Sequence, residues 1–184
     1  SYDLAGNRTS ATDASGQTTF VNHDANGRAR RIQRPDGVVI DRVFDNRGRL
    51  GSQTIAGLVT SYQYDAAGRL QRATEPDGSW QSFSYDAAGA LSGTLNHRGE
   101  TTVATRDAAG SVVNHSVYGA AGNLAATRQT EFNSLGNLST VRDSRGHRKT
   151  IHYAPDGRVG SVTDPLGRSH GFQHDNVDRL VAVT

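Results

Sequence analysis

The 184-residue chain has no cysteine, no methionine, 4 prolines and 1 tryptophan. The lack of cysteine excludes disulfides and thiolate metal sites and leaves the redox compartment open. Lysine is almost missing too: Lys149 stands alone among 20 basic residues, so the rest are Arg. Coding bias accounts for this skew more simply than a need for bidentate anion clamps. With 18 acids against 20 bases the net charge is only +2, and no nucleic-acid footprint shows. No apolar run approaches the roughly 18 residues of a membrane span, and nothing resembles a signal peptide. Leu, Ile, Val and Phe supply 35 of the 184 residues, close to the level of disordered chains. The near-neutral charge and the regular turn signals described next argue against disorder.

What the chain has is glycine, 21 residues of it, at fixed offsets that mark turns. An aromatic-Asp pair opens most repeats: Tyr2-Asp3, Phe44-Asp45, Tyr64-Asp65 and Tyr85-Asp86, with His23-Asp24 and His174-Asp175 as variants. Unit starts fall at Tyr2, His23, Phe44, Tyr64, Tyr85, Arg106, Phe132, Tyr153 and His174, separated by 21, 21, 20, 21, 21, 26, 21 and 21 residues. Such a period indicates a repeat architecture, and residues 1–184 read as one array. The chain opens inside a motif and without a starting Met, as expected for a piece of something longer. The unit at 106–131 is five residues longer than its neighbours. An insertion that lengthens two strands or adds a bulge is the simpler reading, and a contact loop the functional one.

Two turns are expected per unit, at glycines running from Gly6 to Gly167 and with Asp178 in the following slot. Turn signals every 8–12 residues leave room for strands of roughly 5–7 residues and none for helix. The expected fold is all-β: about eighteen antiparallel strands in β-hairpins of ~21-residue repeats, forming one long curved or spiralling sheet. In the first turn class an Asp three residues before Gly accepts a backbone hydrogen bond. Ala154 and Gly119 cannot, so their turns are expected to be looser. The second class includes Arg34-Pro35-Asp36-Gly37 and Glu75-Pro76-Asp77-Gly78, where Pro presets φ. Pairs two residues apart, such as Tyr62 and Tyr64 or Ile151 and Tyr153, put apolar side chains on one face. The opposite face reads as Ser, Thr, Gln and Arg.

The chemistry-bearing residues do not assemble a catalytic motif. Each turn Asp has a structural task, and the repeats set these carboxylates in a row and not in a converging acid/base pair. His23, His97, His115, His147, His152, His170 and His174 make no HExxH set, and His170 with His174 is a weak metal pair. There is no GxSxG elbow or GxxxxGK[ST] loop. Asn7, Asn114 and Asn137 begin glycosylation sequons expected by chance in a Ser/Thr-rich chain. No catalytic residue, metal ligand or cofactor is therefore assigned. The best binding candidate is the row Arg28, Arg49, Arg69, Arg158 and Arg179, one unit apart along an edge. A solvated rim paired with the turn Asp residues is the preferred reading of that row.

At Tyr64-Asp65-Ala66-Ala67-Gly68-Arg69-Leu70, Glu75-Pro76-Asp77-Gly78 and Tyr85-Asp86-Ala87-Ala88-Gly89 the sequence resembles the Rhs/YD-repeat family. The resemblance covers essentially the whole chain. It implies a strip of β-hairpins that spirals into a hollow cocoon. In bacterial members the shell encloses a C-terminal toxin, delivered by type VI or related secretion, or belongs to insecticidal toxin complexes. Teneurins use a similar barrel in cell adhesion. The implied partners are the rest of the shell chain and an enclosed toxin polypeptide, together with secretion-system or cell-surface components, and the implied location is outside the bacterial cell. The alternative is an extracellular adhesion module for glycan or a surface protein. Asp164-Pro165-Leu166-Gly167 resembles the start of the family's self-cleaving segment but occupies an ordinary turn slot, so no catalytic residue carries over.

Overall fold

A computed structural model of the protein describes residues 1–175, 177 and 179–184, so the expected turn residue Asp178 lies outside the described residues. Within them the chain is all-β, with seventeen strands holding more than half the residues and no helix. It divides into two compact units, Ser1–Phe83 and Ser84–Thr184. The first contains β1 (Ser10–Thr12), β2 (Thr18–His23), β3 (Ala29–Gln33), β4 (Val39–Phe44), β5 (Leu50–Ile55), β6 (Leu58–Tyr64), β7 (Leu70–Thr74) and the start of β8 (Trp80–Tyr85). Each of these strands pairs antiparallel with the next in sequence. An eighteenth strand was expected before the first turn. That place holds a single bridge between Tyr2 and Arg8.

The second unit continues with β9 (Leu91–Asn96), β10 (Thr101–Arg106), β11 (Val112–Tyr118), β12 (Leu124–Phe132), β13 (Leu138–Asp143), β14 (Arg148–Tyr153), β15 (Val159–Thr163), β16 (Ser169–His174) and β17 (Leu180–Val183). Here too the antiparallel pairing follows chain order. The long unit lengthens two strands, β11 to 7 residues and β12 to 9, and places a bulge between them.

The two turn classes share one backbone. In the first class Asp65 N–H donates to Arg69 O at 2.9 Å and Gly68 N–H to Asp65 O at 3.0 Å. In the second, Arg34 N–H donates to Val38 O at 2.9 Å and Gly37 N–H to Arg34 O at 3.0 Å. The glycine closing each turn needs positive φ, as at Gly68 with +86°, which costs any side chain that carries Cβ. The turns at Ala154 and Gly119 are not looser. Ala154 N–H donates to Arg158 O at 2.8 Å and Gly157 N–H to Ala154 O at 2.9 Å, while Gly119 N–H donates to Asn123 O and Gly122 N–H to Gly119 O, both at 2.9 Å. The backbone pattern and glycine suffice, and at the Ala154 turn the next acid, Asp156, accepts from Arg158 N–H at 3.0 Å.

A bulge recurs in the hairpins that open each repeat. Tyr64 lies opposite Leu70 but Gln63 opposite Arg72, leaving Gln71 as an extra residue. The same shift separates Val43–Ser52 from Phe44–Leu50, and His152–Ser161 from Tyr153–Val159. The Pro-Asp-Gly hairpins pair without a shift. The extra residue keeps Leu70 and Ala73 together on the face of Tyr62 and Tyr64.

Neither unit has a packed core: among the described residues no apolar side chain is buried, and only Ser116 and Thr140 are, each 4% exposed. The more apolar face of the first unit carries half-buried Ile32, Ile40, Phe44, Leu50, Tyr62 and Tyr64. The other face is less polar than expected. Phe20, Val43 and Val59 lie exposed there, and Trp80 stacks with Arg72, whose Cζ is 4.1 Å from the ring centroid.

Ala56 is the one non-glycine residue at positive φ among those described, at 49°, beside Gly57 at 85°. These two residues form the tight link between β5 and β6, where two positive φ values match a type I′ hairpin turn. Alanine is a poor residue at that first position. Ala56→Asn should stabilise the chain by about 1 kcal/mol in urea unfolding, whereas Ala56→Val should destabilise it.

Candidate functional site

The repeated chemical feature is the rim of turns that closes one end of the bulged hairpins. In most of these turns the Asp gathers two backbone amides on one carboxylate oxygen. Asp45 Oδ1 accepts from Arg47 and Arg49 N–H, both at 2.9 Å, and Asp24 Oδ1 accepts from Asn26 at 2.9 Å and Arg28 at 3.0 Å. The second oxygen holds the arginine after the glycine. Arg28 Nε and Arg49 Nε each donate to their Asp Oδ2 at 2.7 Å, and Arg69 Nε to Asp65 at 2.8 Å. Arg179 makes the same bond to Asp175 at 2.7 Å, while Arg158 turns to Asp156 at 2.8 Å because Ala154 occupies the usual Asp place.

These arginines also reach the next repeat. Arg28 Cζ lies 4.6 Å from the Phe44 ring centroid and Arg49 Cζ 4.5 Å from that of Tyr64. A Cβ added to Gly48 would meet Arg28 at 2.8 Å, so that glycine also makes room for the guanidinium. Arg47 donates to Ala66 O at 3.2 Å and Arg158 to Asp175 O at 3.0 Å. A planar guanidinium can bond a carboxylate along its edge and stack on a ring with its face. Lysine cannot do both, so along this rim the arginines have a structural cause beyond coding bias.

The same bonds explain the acidity of the turn carboxyls. Asp24 is held below its ordinary value of 3.8, first by the side-chain hydrogen bond from Arg28. Asp45 and Asp65 are lowered first by the backbone N–H of Arg49 and Arg69, then by their side chains. A carboxyl so engaged is ionised at neutral pH and has no proton to give, and its oxygens are occupied. The row Arg28, Arg49 and Arg69 is thus a rim clamped by Asp residues.

The remaining sequence candidates are dispersed. Asn114 donates to Ser116 Oγ at 3.2 Å and accepts from Thr127 Oγ1 at 2.9 Å, so its amide is occupied. Asn7 donates to Asp3 at 3.0 Å. His147 Nδ1 lies 3.0 Å from Asp143 Oδ2, filling the place of the turn arginine, and His170 and His174 both lie on β16. Among the described residues no three of His, Asp and Glu gather as a metal-binding group. An open depression of about 830 Å³ in the second unit is lined largely by Ala and Thr, and in it Arg106 Nε stands 3.8 Å from Asp86 Oδ2. Sequence reading missed one consequence of the long unit. Tyr118 and Leu124, paired like the aromatic-leucine pairs elsewhere, share the face of Ser116 and Thr127, opposite to Phe132 and Leu138. The residue count between Arg106 and Phe132 carried that signal.

Residues 44–79, one repeat with both turn classes, match the family model described as RHS Repeat. This stretch carries an Rhs repeat. A search of curated proteins gave no match. Among solved structures, the Photorhabdus luminescens Tc holotoxin pore is 14% identical with TM-score 0.47, over 91% of this chain and 13% of the other. The TcdB2-TccC3 structure is 15% identical with TM-score 0.40, over 99% and 14%. A porin-like protein from Bacteroides uniformis is 8% identical with TM-score 0.40, over 95% and 86%. All three scores are under 0.5. The chain thus spans only 13–14% of the toxin-complex chains it matches.

Two outcomes test the rim. In a double-mutant cycle, Arg49→Lys and Tyr64→Leu should couple by about 0.5–1 kcal/mol in unfolding free energy. The turn Asp residues have folded pKa values below the unfolded ones, so their stabilisation is complete above the unfolded value and disappears as pH falls through the folded values. The Tm should therefore hold steady down to about pH 5 and fall below about pH 4. In Asp24→Asn/Asp45→Asn/Asp65→Asn it should be lower at pH 7, with a shallower acid decline.

Proposed function

We propose that this chain is a wall segment of an Rhs-type shell, a structural strip and not an enzyme, in which both units belong to one array. The observation that carries the reading is a repeat sheet with strong turn-to-turn fastening and, among the described residues, no buried apolar side chain. A sheet so thin gains stability from further sheet and from what lies against its faces. The turn carboxylates are committed to backbone amides and arginines, which supports a structural role over catalysis. In this reading neighbouring repeats of a longer chain complete the wall, and the wall encloses a toxin polypeptide. The parent is secreted from a bacterium by a dedicated delivery system.

Sedimentation velocity of the isolated chain over a range of concentrations tests the proposal, with far-UV circular dichroism confirming that the strands persist. Concentration-dependent association of folded strips is expected, because their edge strands seek partners. A concentration-independent monomer with full amide protection would overturn the wall reading.

A further inference from the structure

The lengthened hairpin leaves an open notch in the second unit. β10 accompanies β11 to its end, with Thr101 opposite Tyr118. On the other side β13 pairs with β12 only from Arg128 to Phe132. In the stretch from Leu124 to Thr127, β12 therefore pairs with β11 on one edge and, among the described residues, with no strand on the other. The outward direction follows from the ladder. Asp143 N–H donates to His147 O at 3.1 Å, so the backbone of Asp143 turns to β14 and that of Arg142 to β12. Gln129, opposite Arg142, must then point to β13, and Thr127, two residues earlier, points the same way into the notch.

The side chains around the notch are cationic. Arg128 stands at its base, and the adjoining turn carries Arg145 between Arg142 and Arg148, all exposed. Arg142 and Arg148 lie directly opposite each other, a like-charge pairing that is unfavourable unless an anion joins it. The nearest acid of the turn, Asp143, is already engaged by the N–H groups of Arg145 and His147, both at 2.9 Å, and by His147 Nδ1. Arg148 Nη2 donates to Thr140 Oγ1 at 3.4 Å, but among the described residues none of Arg142, Arg145 and Arg148 has a carboxylate partner. An open backbone edge selects an extended chain, and guanidinium groups without a carboxylate select one.

We propose that the β12 edge from Leu124 to Thr127, beside Arg142, Arg145 and Arg148, is a docking site for an extended acidic polypeptide segment that adds to the sheet as a strand. One hairpin's worth of cations is too short to track a nucleic-acid backbone, and the exposed amides suit a peptide. The site does not depend on the shell reading.

The test is fluorescence anisotropy with the full chain, at a concentration where it is not self-associated, and labelled peptides of alternating Glu with Thr or Val. Saturable one-to-one binding is expected. A peptide N-methylated at alternate residues should bind at least tenfold more weakly, as should the Glu peptide to Arg145→Glu/Arg148→Glu. Isotope-edited NMR should place the shifts at residues 124–127. Equal binding of the N-methylated peptide or of a Lys-for-Glu peptide would overturn the proposal. So would tighter binding of an oligonucleotide, or no binding at millimolar peptide.

Discussion

The structure depends above all on one small unit, a five-residue turn closed by two backbone hydrogen bonds and a glycine, in which one carboxylate oxygen most often also captures two backbone amides. At Asp45 the bonds from Arg47 and Arg49 N–H, 2.9 Å each, fix the chain direction on both sides of the reversal. Glycine at the fourth place supplies the positive φ that lets the strand return. Repeated every repeat, the turn sets where a strand begins, and the register of each pair follows. A chain with little apolar surface can hold a sheet in this way because local bonds carry the specificity that a core supplies elsewhere.

A turn alone would fix hairpins without joining them. The arginine after the glycine provides the connection. Its edge is bound to its own Asp, its face covers the aromatic ring one repeat on, and the neighbouring glycine leaves space for it, as Arg28 does with Asp24, Phe44 and Gly48. Tyr64 adds a bond from its hydroxyl to Leu50 O at 2.9 Å, and Tyr153 one to Leu138 O at 2.9 Å. Phe44 thus holds a ring contact, Tyr153 a backbone acceptor and Tyr64 both. The sheet is fastened from repeat to repeat at its rim, where a globular domain would be fastened through its middle.

The longer unit shows how strictly such an array counts. Because side chains alternate faces along a strand, a change in residue number decides which face receives the next apolar pair. Tyr118 and Leu124 arrive on the side of the Asn114–Ser116–Thr127 network, and β12 overruns its neighbour by four residues. The same five extra residues therefore alter both the surface and the edge.

The sequence by itself determined the strand class, the repeat boundaries and the turn chemistry, since all three rest on contacts within a few residues. Asp65 and Gly68 announce their turn, and Tyr62 with Tyr64 announce a face, without reference to the rest of the chain. The tight turn at Ala154 was misjudged because its carboxylate comes from Asp156, a substitute position that the Asp-three-before-Gly rule passes over. Only the tertiary structure decided what depends on neighbours in the sheet. It revealed the extra residue at Gln71 in the bulge, the reach of Arg49 onto Tyr64, the place of Trp80 on the more polar face and the open edge at Leu124–Thr127. Each is a relation between strands, and no single strand's composition encodes how far the next one extends.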